Sequence, residues 1–128
     1  MKYYIEKITE YGFDEAIEKV TEELKKEGFG VLTEIDVQAT LKKKLDVNFK
    51  KYQILGACNP PFAHEALIAE NKIGAMLPCN VIVQELDNGK TEVAAVDPVA
   101  SMLAVQNDKL SAIAEEIRSK LQKVIESV

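Results

Sequence analysis

The sequence predicts an α+β domain, an antiparallel sheet with its helices on one face. Three observations predict it. Residues 13–27 and the segment opened by Asn107 or Asp108 repeat apolar residues at helical spacing. The extended segments carry apolar residues on one side and polar ones on the other. Asn88-Gly89 sits between two such segments, a short-range hairpin signal. One-sided strands and one-sided helices bury their apolar surfaces most economically as two packed layers.

Taken in order, Lys2 to Ile8 is rich in Tyr and Ile and reads as a strand. Phe13 to Glu27 reads as a helix whose face is Phe13, Ala16, Ile17, Val20 and Leu24. Asp14 and Glu15 suit its positive start, and Lys25 and Lys26 its negative end. Gly28 is free to take the left-handed conformation that stops it. Gly30 to Val37 alternates, with Val31, Thr33, Ile35 and Val37 on one side. Gln38 to Leu45 is expected to be a short helix, and Asn48 to Cys58 a strand. Asn59-Pro60 then opens a helix, because Asn caps well and Pro suits a first turn whose N–H groups have no partner. Asn80 to Leu86 and Lys90 to Val96 form the hairpin arms, and Asp97-Pro98 repeats the cap-then-proline device before a short helix to about Val105. The last helix has the most regular stripe: Leu110, Ile113, Ala114, Ile117, Leu121, Val124 and Ile125.

A two-residue loop at Asn88-Gly89 sets Asp87 opposite Lys90, so Val83 faces Ala94, Val81 faces Val96 and Asn80 faces Asp97. Val81 and Val83 then share a face with Val96 and Ala94. The other face carries Ile82, Gln84 and Leu86 against Ala95, Val93 and Thr91. That second face is too apolar for plain exposure, so a homodimer through the sheet is expected, with a covered sheet face as the alternative.

The chain of 128 residues is expected to be one domain, residues 1–128, large enough to hold a core without disulfides or metal. Its 47% apolar and 29% charged residues are a globular balance. A net charge of −5 argues against nucleic acid, whose phosphates call for a Lys/Arg excess. The basic run Lys42, Lys43, Lys44 is flanked by acidic residues and reads as a solvated face. Neither a signal peptide nor a membrane span is evident, so a cytoplasmic location with reduced thiols is expected.

The chemistry-bearing residues gather around the two cysteines, Cys58 and Cys79, each followed by asparagine. Consecutive strands usually lie side by side. If the strand ending at Cys58 and the one starting near Cys79 are antiparallel neighbours, Cys58, Cys79, Asn80 and Asp97 meet at one sheet edge. Helices opening at Asn59 and Asp97 then aim their N-termini there, where dipole and N–H groups attract anions and lower thiol pKa. His64, the only histidine, falls about one turn into the helix after Asn59. The candidate ligand-binding set is therefore Cys58, Asn59, His64, Cys79, Asn80 and Asp97, with catalytic residues and cofactor unassigned. Each has a plainer reading: buried small residues, helix caps, a surface histidine. Metal is not expected, since only Cys58, Cys79, His64 and Asp97 are candidate ligands and no Cys-x-x-Cys occurs.

Four runs carry a family resemblance: Gly30 to Val37, Ile54 to Pro61, Leu77 to Val81 and Ala95 to Pro98. In order and spacing they resemble the domain-of-unknown-function family numbered three hundred and two, over nearly the whole chain. The resemblance implies a strand, helix, four strands, helix order around a curved antiparallel sheet, similar in topology to half of the TATA-box-binding protein. It also implies homodimers, and it supplies no activity, substrate or catalytic residue. Fold does not carry DNA binding with it. Three functions stay open: a homodimeric small-ligand-binding or regulatory domain, a thiol enzyme or redox sensor using Cys58 or Cys79, and an interaction domain with no small-molecule site.

Overall fold

The computed structural model describes residues 2–128. Five strands and five helices follow in the order β1 (Tyr4–Thr9), α1 (Phe13–Lys26), β2 (Gly30–Asp36), α2 (Val37–Leu45), β3 (Tyr52–Cys58), α3 (Pro60–Ala69), β4 (Cys79–Glu85), β5 (Thr91–Val96), α4 (Pro98–Ser101) and α5 (Asp108–Glu126). Single 3-10 turns at Ile73–Met76 and Leu103–Val105 complete the chain. The sheet runs β1-β5-β4-β3-β2, and every neighbouring pair is antiparallel. The fold is the expected α+β arrangement, a curved antiparallel sheet backed by α1 and α5 on one face.

The core forms where two amphipathic stripes meet that face. Ala16, Val20 and Leu24 come from α1, and Ile117, Leu121, Val124 and Ile125 from α5. Leu55 and Ala57, Val81 and Val83, and Val93 and Ala95 rise to meet them from three adjacent strands. The carbonyl end of α1 closes over Gly28 at φ +86°, with Phe29 N–H donating to Leu24 O at 2.9 Å. At the start of α5, Asn107 Oδ1 accepts from Lys109 N–H at 3.0 Å.

Three local expectations are corrected. The β4–β5 loop has three residues, Asp87, Asn88 and Gly89, not two. Leu86 N–H donates to Lys90 O at 2.8 Å, and only Gly89 has positive φ, at +82°. That is the three-residue hairpin, a tight turn followed by a left-handed glycine. Val83 consequently pairs with Val93 and Val81 with Ala95. A one-residue slip turns every β5 side chain over: Val93 and Ala95 enter the core, while Glu92, Ala94 and Val96 join Ile82 and Gln84 on the open face. Asn80 no longer opposes Asp97, whose N–H donates instead to Tyr3 O at 2.7 Å. The second face thus exchanges Thr91, Val93 and Ala95 for Glu92, Ala94 and Val96 and stays largely apolar, with Glu92 Oε1 accepting from Gln84 Nε2 at 2.8 Å.

In β2 the register shifts between Val31 and Thr33, so Val31 pairs with Ala57 on the core side while Thr33 and Ile35 pair with Gly56 and Ile54 on the open side. The extra residue, Leu32, bulges out and is exposed. Phe49, expected in a strand, lies in the loop before β3.

Candidate functional site

The ends of β3 and β4 create the site. Ala57 pairs with Cys79 across the ladder, so Cys58 is one residue past the partner of Cys79. Opposed Cα atoms lie about 5 Å apart and one residue adds about 3.4 Å along the strand, which sets the Cys58 and Cys79 Cα atoms about 6 Å apart. The chain then turns at Asn59 into α3, which folds back over this end of the sheet. Its inner side meets the first half of α5.

Between them is an open cavity of about 290 Å³. Phe62, Ala63 and Ala66 of α3, Ile113, Ala114 and Ile117 of α5, and Leu77 and Pro78 before β4 are part of its wall. Cys58, Asn59 and Cys79 line it as well. The space exists because several wall positions are small. Ala57, Ala63, Ala66 and Ala114 stand where larger side chains would fill it. No Lys, Arg, His, Asp or Glu lines it.

Gly56, on the open side of β3, sets the packing of Pro78. A Cβ there would collide with Thr33 Oγ1 and come within 2.9 Å of Pro78 Cγ, so only glycine lets Pro78 lie across the strand at this level.

The thiols are unbridged and half-buried. Burial pushes the Cys79 thiol up to about 11, and the neighbouring Cys58 adds to the rise. Cys79 is therefore a protonated thiol at neutral pH, a weak donor with apolar character rather than a nucleophilic thiolate.

Asn59 occupies the N-cap position of α3, but its side chain makes no cap bond. Asn59 Nδ2 instead donates to Glu27 O at 3.1 Å, satisfying a carbonyl at the end of α1. A Cβ at Gly28 would come within 3.2 Å of that nitrogen, so Gly28 supplies both the positive φ and the clearance. Pro60 and Pro61 occupy the first two positions of α3. Neither has an N–H, so this helix start offers an anion little.

The remaining candidates lie elsewhere. Asp97 is buried, with Oδ1 accepting from Val99 N–H at 3.0 Å and Oδ2 from Arg118 Nε at 2.8 Å. It caps α4 and ties it to α5, beside a different hollow. Asn80 is exposed and faces the open side of the sheet. His64 is exposed on α3 and does not line the cavity. Among the described residues no cluster of three or more His, Cys, Asp and Glu is arranged to hold a metal ion. Nor is any helix among them long and apolar enough to cross a membrane.

The apolar wall lies outside the candidate residues that the sequence singles out. Ile113 and Ala114 belong to the apolar stripe of α5, which marks a packed face and not a hollow. The available signal was the alanines at apolar positions of α3 and α5, which leave volume unfilled.

The domain of unknown function DUF302 matches residues 5–128. The chain is similar to a solved crystal structure, that of an uncharacterized conserved DUF302 protein from Bacillus stearothermophilus. The two are 29% identical, the match covers 99% of this chain and 98% of that one, and the TM-score is 0.93. No curated relative matches.

Proposed function

We propose that this chain, which belongs to the DUF302 family, is a binding domain for a small, neutral, mostly apolar molecule held between α3, α5 and the β3–β4 strand ends. The observation that carries this reading is the cavity of about 290 Å³ with no charged side chain on its wall. Its size is near the lower end of ligand pockets, roughly 300–1,000 Å³. An apolar protein cavity of about 150 Å³ accommodates benzene. A fused two-ring or short branched molecule is the corresponding ligand here, and a nucleotide is too large and too charged. Cys58 and Cys79 offer weak polar contacts to orient it. The reading suits a reducing compartment such as the cytoplasm, since both thiols are unbridged.

A nucleophilic thiol is supported less well. The Cys79 thiol is held up at about 11, and His64 is not at the cavity to act as its base. An anionic ligand is supported less well too, because no basic side chain lines the wall.

Indole is a suitable neutral two-ring probe. Calorimetric titration should give saturable one-to-one binding. Ala63→Phe, at a half-buried wall position, should fill the space and weaken binding at least tenfold while the protein stays folded. Absence of saturable binding, or binding that Ala63→Phe leaves unchanged, would overturn the reading.

A further inference from the structure

The open face of the sheet carries a second concavity, of about 650 Å³, on the side away from α1 and α5. Leu77 and Pro78 line both spaces and form the partition between them. Its character is opposite to that of the apolar cavity. The floor is Ile82 beside its register partner Ala94, a small residue that leaves depth. The next rung is Tyr52, Gln84 and Glu92, directly opposed across β3, β4 and β5. Tyr3 and Tyr4 form the far wall as an edge-to-face pair, with centroids 5.0 Å apart and ring planes at 76°. Two carboxylates, Glu6 and Glu92, line the groove, and no Lys, Arg or His does.

We infer that this groove is a binding site for a small organic cation, an alkylammonium or quaternary ammonium group. Aromatic faces attract such cations through their negative π clouds, and a nearby carboxylate supplies the counter-charge. One pair of these groups already holds an ammonium. Lys2 Nζ lies 5.1 Å from the Tyr4 ring centre and donates to Glu6 Oε1 at 3.0 Å, approaching from the neighbouring hollow. The other half of the groove has the same ingredients without a cation. Glu92 takes one hydrogen bond from Gln84 Nε2 and joins no ion pair among the described residues. Tyr52 senses both Tyr3 and Glu92: burial first, then these two groups, raise its phenol pKa. Tyr52 therefore lies within electrostatic reach of Glu92 on one side and of Tyr3 on the other, and all three line the same groove. The site shares only Leu77 and Pro78 with the apolar cavity and takes a ligand of different charge.

Choline and its neutral carbon analogue, 3,3-dimethyl-1-butanol, differ at the charged atom and hardly in shape, and they form the test pair. Choline should shift the ring resonances of Tyr3, Tyr4 and Tyr52 saturably in an NMR titration. The neutral analogue should bind at least tenfold more weakly. Tyr52→Leu should weaken choline binding about tenfold. Glu92→Gln, which keeps the shape and the contact to Gln84, should do so by about fivefold or more. Equal binding of the two compounds would overturn the proposal. So would the absence of any saturable shift, choline affinity unchanged in Glu92→Gln, or a homodimer by sedimentation whose tyrosine rings stay inaccessible to choline.

Discussion

At the scale of single residues, three positions bear the most specific load. Cys79 has its thiol raised from 9.0 to about 11 by burial. A folded-state value above the unfolded one means the protonated form is favoured by folding. The contribution is complete below pH 9 and is lost as pH rises through about 11. Two units correspond to roughly 2–3 kcal/mol as an order of magnitude. Denaturation midpoints should therefore fall between pH 9 and 11, and Cys79→Ala should flatten that part of the profile. Asp97 combines a cap with an ion pair to Arg118, which is half-exposed. The cap is worth about 1 kcal/mol and the exposed pair about 0–1. Asp97→Ala should thus cost about 1–2 kcal/mol in urea melts and Asp97→Asn, which keeps the capping oxygen, clearly less. Gly56→Ala must displace Thr33 or Pro78. A loss of about 1–3 kcal/mol by the same measurement is expected from such overpacking. Asp97 and Asn59 show why residue roles were only partly legible. Both read as helix caps from the Asx-Pro step alone. Asp97 caps as read, but the Asn59 amide turns to Glu27 O, a contact across the fold that local sequence does not encode.

At the scale of elements, the amphipathic helices were the most legible. The α5 stripe read from spacing alone is buried, apart from half-buried Ile113. Leu121→Ala should cost about 2–5 kcal/mol, since that side chain is fully buried at the centre of the core. The hairpin was half legible. Asn-Gly signals a turn, but the same dipeptide serves a two-residue loop with two positive φ angles and a three-residue loop with one. Side-chain pattern did not decide, because Val93, Ala94, Ala95 and Val96 are apolar at both parities. Gly89→Val forces a β-branched residue to φ +82° and should lower stability by at least about 1–2 kcal/mol in thermal melts. Asn88→Ala should cost less, since Asn88 needs no positive φ here and loses only its Oδ1 contact to Lys90 N–H. The bulge at Leu32 was hidden for a related reason. An alternating β2 looks continuous until its partner strand shows where the register shifts.

At the scale of the whole molecule, fold class and element order were readable, while the hollows were not. Periodicity reports which side chains turn inward, but not how well they fill the volume between layers. The apolar cavity arises from alanines on three separate elements meeting at one end of the sheet. The open groove arises from curvature and from the β5 register. The two spaces lie on opposite faces and share only the Leu77–Pro78 partition, so a neutral ligand and a cation should bind without direct competition. The function proposed for the α3–α5 cavity is to hold a small neutral apolar molecule. Intermolecular nuclear Overhauser contacts from bound indole test it most directly. Bound indole should show contacts to the methyl groups of Ala66, Ile113 and Ala114. Contacts confined to Ile82 and Ala94 of the open groove, or none at saturating indole, would contradict it.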